Sequence, residues 1–201
     1  ANEDGVVLFA IRRPDWTLPE LHDGLRLSGG ECLDGKAAGV RAPCPKCGRS
    51  RALYCYDCIM PLSPASPTVP LPFPFSIITH QDEAPSKSTG IQAAVLSPPG
   101  MVQLHDLDHC PPFDPVRTVV LFPGDGAIGV EEVEPCSIDR AIIIDSKWKK
   151  AKELLRHPAL KGVQRVKLCE GRTAFWRFHT AGVADEGVCT VEAMYFFLTS
   201  L

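Results

Sequence analysis

Runs of apolar residues in the second half of the chain predict strands. Phe75–Thr79 is a short apolar run, and residues 118–122 and 141–144 are continuous runs of apolar, mostly β-branched residues. Continuous runs of this kind are typical of strands buried on both faces of a parallel sheet. Residues 163–168 instead alternate between apolar and polar side chains, which predicts a more exposed strand.

Three helices are predicted between and after these runs. Residues 88–96 form a short helical segment that Pro98 stops, and residues 146–156 have apolar positions on one side and lysines on the other. Residues 190–201 are an apolar helix with Thr190 as its N-cap. Strands alternating with helices predict an α/β fold, a mostly parallel sheet with helices on both faces and ligands at the carboxyl ends of the strands.

The chain divides into four zones. Residues 1–43 are an N-terminal extension of weak periodicity, residues 44–60 carry two close cysteine pairs, and residues 75–201 are the predicted α/β domain. Residues 61–74 contain six prolines in fourteen positions, which predicts an extended strap. Because the chain lacks an initial Met and stops within an apolar run, we expect a fragment of a longer protein with a truncated C-terminal end.

Composition excludes several classes of protein. Of 201 residues, 45% are hydrophobic and 22% are charged, which is near the globular average and excludes disorder throughout. No stretch approaches the roughly 18 consecutive apolar residues of a transmembrane helix, so no membrane partner is expected. The first residues show no secretory signal, and nine cysteines in such a chain indicate a reducing, intracellular compartment.

Four cysteines have the spacing of a zinc site. Cys44, Cys47, Cys55 and Cys58 form the pattern C-x2-C-x7-C-x2-C, and Gly48 allows the backbone to turn. Four thiolates satisfy the tetrahedral preference of zinc and leave no open position, so the site is predicted to be structural. The alternative is two structural or redox cysteine pairs. The remaining cysteines are expected to be buried thiols: Cys32, Cys110, Cys136, Cys169 and Cys189.

Asp145 follows a buried apolar run and precedes a predicted helix. A carboxylate at the carboxyl end of a central strand is where α/β enzymes keep functional acids, although an Asp in this place also serves as a helix N-cap. The two roles are compatible. Trp148 and Ala151 share one helix face, which either packs in the core or meets a ligand.

A basic segment follows Asp145. Residues 147–177 carry ten Lys or Arg and two Glu, a local charge of +8 in a chain of net charge −3. Such an asymmetry favours a phosphate-facing surface, and the alternative is a solvated helix face. Phe175, Trp176 and Phe178 lie within this segment, where they either stack on unpaired bases or belong to a buried strand.

Several motifs occur together in a specific order. They are Cys44-Pro-Lys-Cys-Gly, Tyr54-Cys-Tyr-Asp-Cys58, Lys87-Ser-Thr-Gly90, Leu121-Phe-Pro123, Ile143-Ile-Asp-Ser-Lys-Trp148, Phe175-Trp-Arg177 and Cys189-Thr-Val-Glu-Ala193. In this order they resemble the DTWD-domain family, the tRNA-uridine aminocarboxypropyltransferases, over residues 44–201. The knuckle is more similar to the first of the two animal-type branches than to the second. Lys147 stands where the family signature has Thr, so it either adds a phosphate contact or signals reduced activity.

The resemblance implies a SPOUT-like fold with a knot at the cofactor loops and S-adenosylmethionine (SAM) as co-substrate. It implies transfer of the 3-amino-3-carboxypropyl group to N3 of a uridine in tRNA, in the D-loop, with release of 5′-methylthioadenosine. It favours the nucleus over the cytoplasm as the compartment. The oligomeric state is left open.

The resemblance also implies roles for individual residues. Asp145 is expected to be the general base, or else to orient the nucleobase or cofactor. Three groups of residues are expected to surround the cofactor: Leu121, Phe122, Pro123 and Ile144 around the adenine, Trp148 and Ala151 around the methyl group, and Thr190 and Glu192 at the amino-acid end. Ser88 and Thr89 are expected to bind either the cofactor or RNA phosphates. The residues expected to hold tRNA are Lys147, Lys149, Lys150, Lys152, Arg172 and Arg177.

Two other functions fit the same residues. One is an RNA methyltransferase on the same fold, which would transfer the methyl group of SAM instead. The other is a non-catalytic RNA-binding zinc protein, which Lys147 favours and which would not bind SAM. Two measurements separate the three functions: whether the protein binds SAM, and whether the methyl or the aminocarboxypropyl group of SAM is transferred to the RNA.

Overall fold

The computed structural model describes residues 41–146, 148–168 and 188–201. The side chains of Trp148, Lys149 and Lys152 are not described. Most of the predicted N-terminal extension, Lys147, and residues 169–187 with Arg172 and Arg177 lie outside the described residues.

Ten strands and three α-helices are described, together with short 3-10 turns. The strands are β1 (Ala42–Pro43), β2 (Ser50–Arg51), β3 (Tyr54–Cys55), β4 (Met60–Pro61), β5 (Phe75–Thr79), β6 (Val102–Asp106), β7 (Thr118–Leu121), β8 (Ile128–Gly129), β9 (Arg140–Asp145) and β10 (Gln164–Lys167). The helices are α1 (Thr89–Leu96), α2 (Trp148–Leu154) and α3 (Thr190–Ser200).

Six strands form one sheet in the order β6-β5-β9-β7-β10-β8, and all of its pairings are parallel. The predicted α/β class and parallel sheet are therefore confirmed. Strand β9 lies inside the sheet between β5 and β7, with Thr79 opposite Asp145 and Leu121 opposite Ile143. Because parallel strands all end at the same edge, the residues that follow β5, β7 and β9 lie near one another.

Helices cover both faces of the sheet. On one face, α1 and α3 pack on the apolar side chains of β5, β7 and β9; the residues of this core include Phe75, Ile77, Ile143, Met194 and Phe197. On the other face, α2 and the turn after it cover Ile78, Val120 and Ile142. Side chains alternate along a strand, so Asp145 shares the α1 and α3 face with Ile143.

The helix ends differ from the predictions in two places. Helix α3 begins at Thr190 and its N-cap is Cys189, so the prediction that Thr190 is the cap was wrong. The carboxylate of Glu192 accepts a hydrogen bond from the Cys189 backbone N–H at 2.8 Å, which completes the cap without the Thr190 hydroxyl. Helix α2 is shorter than the predicted 146–156.

The proline-rich residues before the sheet are an extended connection. Residues 62–74 contain no helix or strand, and the Val69 N–H donates to the Leu96 carbonyl at 2.7 Å, at the end of α1. Phe73 packs against Phe75 and Phe197. Within the described ranges, no helix is long and apolar enough to cross a membrane.

Candidate active site and metal centre

Asp145 is the last residue of β9, and both of its carboxylate oxygens are hydrogen-bonded. The Ser88 hydroxyl donates to Oδ2 at 2.5 Å, and the Thr190 hydroxyl donates to Oδ1 at 2.8 Å. An ionised carboxylate can only accept, which fixes the direction of both hydrogen bonds. The carboxylate, half-buried, is therefore held in one orientation by two side chains.

The two hydroxyls come from the N-termini of two helices. Ser88 is the N-cap of α1, and its Oγ accepts a hydrogen bond from the Ile91 N–H at 3.3 Å. Thr190 is the first residue of α3. Helix N-termini carry partial positive charge, so their convergence on Asp145 favours negative charge at this end of the sheet.

Gly90 allows α1 to come this close to the sheet. A Cβ at position 90 would lie 3.1 Å from two side-chain carbons of Ile77 and 3.2 Å from Oδ2 of Asp145. The distances to the two Ile77 carbons are shorter than ordinary carbon–carbon contacts of about 3.5–4.0 Å, and the distance to the carboxylate oxygen is also tight. The absence of a side chain at Gly90 therefore sets the spacing between Ser88 and Asp145.

The start of α3 is closely packed beside this carboxylate. Cys189 and Glu192 are 3% and 5% exposed. The pKa of the Cys189 thiol is raised to about 11, mainly by burial. The Glu192 carboxylate acts in the same direction, whereas hydrogen bonds with the Glu192 backbone and the Thr89 side chain lower this pKa. Thr89 and Cys189 thus bring the first turns of α1 and α3 together.

The four predicted zinc ligands lie together. The Sγ atoms of Cys44, Cys47, Cys55 and Cys58 are all within 4.8 Å of one another. Those of Cys47 and Cys55 are 3.6 Å apart, far longer than a disulfide bond of about 2.05 Å. A Zn–S bond of about 2.3 Å places the sulfurs of a tetrahedral site about 3.8 Å apart. The cluster therefore fits a zinc ion.

Each cysteine pair lies at the end of a small hairpin. Strand β1 pairs antiparallel with β2, and β3 with β4. In the first turn, Gly48 has φ +72° and its N–H donates to the Cys44 carbonyl at 2.8 Å. Ile59 holds the equivalent place after Cys58 and has φ +50°, a conformation that costs a β-branched residue free energy.

The thiols of the metal centre differ in acidity. Burial opposes ionisation of Cys55, but hydrogen bonds from the backbone of Cys58 and Asp57 and from the Cys47 side chain lower its pKa to about 7. Burial, together with hydrogen bonds among the cysteines, raises the pKa of Cys58 to about 12. A cation at the centre of the cluster would favour the thiolate form of all four.

The chain matches a family model over most of its length. Residues 41–201 match the model described as the DTW domain. The chain belongs to the DTW domain family. The curated relatives carry one name, tRNA-uridine aminocarboxypropyltransferase 1. The chain is 29% identical to the Xenopus tropicalis protein, in an alignment that covers 89% of this chain and 76% of that protein. It is 28% identical to the Homo sapiens protein, in an alignment that covers 87% of this chain and 72% of that protein. No solved structure matches the chain.

Within the DTW domain, Ser88 and Thr190 contact Asp145 directly, whereas Thr89 and Glu192 contact Cys189 at the start of α3. Glu192 was predicted to bind the cofactor, and the structure places its carboxylate on the backbone of Cys189. That contact makes Glu192 part of the cap that holds α3, and with it the Thr190 hydroxyl, in place.

The other predicted cofactor residues divide between the two faces of the sheet. Leu121 is buried on the Asp145 face, while Phe122 is half-buried and Pro123 is exposed at the end of β7. Ile144 packs with the core of the opposite face, and Ala151 lies on α2, 2% exposed.

Of the six predicted tRNA-binding cations, only Lys150 has a described side chain; it is exposed, with Nζ 3.8 Å from the Glu153 carboxylate.

Two further residues of the DTW domain make contacts that connect its parts. His80 follows β5, is 5% exposed, and donates its backbone N–H to the Asp145 carbonyl at 3.2 Å. Its Nδ1 accepts from the Asp82 N–H at 3.1 Å, so a neutral His80 carries its proton on Nε2. Tyr54 joins the metal module to the sheet domain, because its hydroxyl accepts from Gln92 of α1 at 3.2 Å. The sequence places His80 in a polar loop after β5 and Tyr54 at the start of a cysteine motif, but it does not indicate these two contacts.

Proposed function

We propose that this protein transfers the 3-amino-3-carboxypropyl group of SAM to N3 of a uridine in tRNA, in the D-loop, and releases 5′-methylthioadenosine. The observation that carries the proposal is the position of Asp145: a carboxylate at the carboxyl end of an internal parallel strand, held by hydroxyls from two helix N-termini. Family membership and the name shared by the curated relatives support the same reaction.

The proposed reaction needs a base and a fixed geometry. Uracil N3–H is a weak acid, so N3 loses its proton as it attacks the γ-carbon of the donor. The C–S bond breaks as the N–C bond forms, and the sulfonium sulfur leaves as a neutral thioether. Asp145 serves as the proton acceptor, directly or through a hydroxyl that it holds. Its two hydrogen bonds fix the carboxylate before the substrates bind, which supports rate enhancement by orientation.

The loops that follow β7 and β9 form the proposed donor site. Pro123 and the residues after it are exposed beside Asp145, at the edge where α/β proteins bind ligands. Trp148 and Ala151 remain the proposed slot for the donor methyl group. A SPOUT-like knot at these loops is part of the same proposal, supported by the parallel sheet and by the family resemblance.

The cysteine cluster is proposed to hold structural zinc. Four thiol ligands at tetrahedral spacing leave no position for a substrate, so the ion would stabilise the module without taking part in the transfer. The cations of residues 147–177 are proposed to hold the tRNA backbone, which presents an unpaired uridine to the site.

One experiment tests the proposal. Unmodified tRNA is incubated with SAM that carries label in the aminocarboxypropyl carbons, and nucleosides are analysed by mass spectrometry, with Asp145→Asn as the comparison. A labelled uridine that the variant does not form supports the proposal. Label from the SAM methyl group in RNA would show a methyltransferase, and no SAM binding in the folded protein would show a non-catalytic function.

A further inference from the structure

A small cavity lies beside Ser88, next to the Asp145 site. Its volume is about 190 Å³, and it is bounded by the ends of β5 and β6, the start of α1 and the loop between β5 and α1. Thr79 and Asp106 line it from the two strands and are paired in the sheet. The cavity thus lies at the carboxyl edge of the sheet, and β5 and β9 separate it from the loop that follows β7.

The size and walls of this cavity fit one small planar ring. Pockets for drug-sized ligands span about 300–1,000 Å³, so a cavity of about 190 Å³ is too small for a whole nucleoside cofactor. Pro85, Ile91 and Leu104 supply apolar walls. Apolar walls with a few polar groups are the usual surroundings of a base that is taken out of its stack.

The polar rim of the cavity is acidic. Glu83 and Asp106 line it together with Thr79 and His105, and burial lowers the pKa of the His105 imidazole, which favours its neutral form. The His109 side chain donates to Asp106 at 2.6 Å, and this hydrogen bond is the main cause of the lowered pKa of Asp106. Two carboxylates repel phosphate groups, so the rim admits a base edge and keeps the sugar-phosphate backbone outside.

Ser88 joins this cavity to Asp145. Its hydroxyl donates to Asp145 Oδ2 at 2.5 Å and accepts from the Ile91 N–H at 3.3 Å. A hydroxyl has one donor and two acceptor sites, so these two hydrogen bonds within the described residues leave one acceptor site of Ser88 for a ligand. A ring N–H that entered the cavity would meet a hydroxyl already hydrogen-bonded to a carboxylate.

We propose that this cavity holds the acceptor uracil and that Ser88 relays its proton to Asp145. The N3–H proton passes to Ser88 Oγ while the Ser88 hydroxyl proton passes to Asp145 Oδ2. N3 bonds to the donor γ-carbon, and the C–S electron pair goes to the sulfonium sulfur. This inference rests on the proposed function and adds the acceptor site and a second catalytic residue to it.

The first test separates the acceptor site from the donor site. Thr79→Phe fills the cavity, and Thr199→Phe at the exposed end of α3 is the matched control. Transfer to tRNA is measured together with SAM binding by calorimetry. We expect Thr79→Phe to lower kcat/KM for tRNA at least 30-fold and to change the Kd for SAM less than threefold, with no effect of the control. A loss of SAM affinity with tRNA saturation unchanged would assign the cavity to the donor and overturn the inference.

The second test addresses the relay. Ser88→Thr keeps the hydroxyl, whereas Ser88→Asn keeps a good helix N-cap but has no group that can pass a proton on. General-base catalysis contributes about 10²–10⁴-fold, so we expect Ser88→Asn to lose at least 100-fold in kcat and Ser88→Thr less than tenfold, with SAM binding retained in both. Equal activity of the two variants would overturn the relay. If the wild-type protein binds SAM but modifies no uridine, the proposed function itself fails.

Discussion

Replacing Gly90 with Ala tests whether the spacing between α1 and the sheet sets the orientation of Asp145. The added Cβ would lie 3.1 Å from two carbons of Ile77 and 3.2 Å from Asp145 Oδ2. Ile77 is fully buried in β5, so it cannot move aside easily. Relief of a contact to about 3.5 Å or more requires the helix or the carboxylate to shift by about 0.4 Å.

Two opposing terms determine the stability of this variant. Ala is favoured over Gly in a helix by about 1 kcal/mol, whereas overpacking of a core costs about 1–3 kcal/mol. We therefore expect a net loss of up to about 2 kcal/mol in the free energy of unfolding. The effect on activity is larger, because a displaced Asp145 weakens its hydrogen bond from Ser88. A hydrogen bond to a charged group is worth about 1.5–3 kcal/mol, which corresponds to about a 10–100-fold loss in kcat.

A second substitution separates these two effects. Ile77→Val removes one of the two carbons that the new Cβ meets, so the double variant should recover part of the lost stability. Ile77→Val does not remove the contact between the new Cβ at position 90 and Asp145 Oδ2, so the activity of the double variant should stay low. Thermal unfolding gives the stability, and labelled transfer to tRNA gives kcat. A wild-type kcat in Gly90→Ala would refute the claim that the spacing between α1 and the sheet sets the orientation of Asp145.

Four further outcomes follow from the metal module and the cysteines. Cys47→Ser removes one ligand of a site whose zinc-binding free energy is typically about 10–16 kcal/mol. The zinc content measured by atomic absorption should therefore fall below one ion per chain, and the metal module should become sensitive to protease. Full zinc retention would contradict the assignment of Cys47 as a ligand. Tyr54→Phe removes the acceptor for Gln92 and should cost about 0.5–1.5 kcal/mol in thermal unfolding while zinc content is unchanged; equal stability would mean that this contact adds nothing. Ile59→Gly relieves the left-handed backbone and should raise the free energy of unfolding by up to about 1 kcal/mol, whereas a loss would show that the Ile59 side chain outweighs its strain. Exposed Cys136 should react with a thiol reagent at pH 7.5 in the native protein, while Cys189, buried and with a pKa of about 11, should react only after unfolding; peptide mapping by mass spectrometry distinguishes them.

The sequence predicted those features of the fold and the site that depend on a single strand or turn. The C-x2-C pairs predicted the cysteine cluster because each pair needs only a tight turn to place two sulfurs together. The apolar run before Asp145 predicted both an internal strand and a carboxylate at its end. Strands β6 and β8 were missed, because β6 is an edge strand rich in polar residues and β8 has only two residues.

Long-range contacts had no local signal. The sequence pattern does not reveal register or helix orientation, so nothing in it showed that Ser88 and Thr190 would donate to the same carboxylate. The residue type of Thr190 predicts an N-cap at that position. The capping role fell instead to Cys189, with Glu192 completing the cap from inside the helix. This frees the Thr190 hydroxyl for Asp145, and only the folded chain shows that exchange of roles.

The parallel sheet has a consequence for how the protein acquires its active state. The donors to Asp145 lie 57 residues before it and 45 residues after it along the chain. Chains dominated by such non-local pairings fold slowly, because loop closure must precede the contacts that reward it. During synthesis the Asp145 carboxylate gains its second donor only after Thr190 has left the ribosome. The functional geometry therefore forms only when three distant parts of the chain have come together, and transferase activity would measure the fraction of molecules that completed folding.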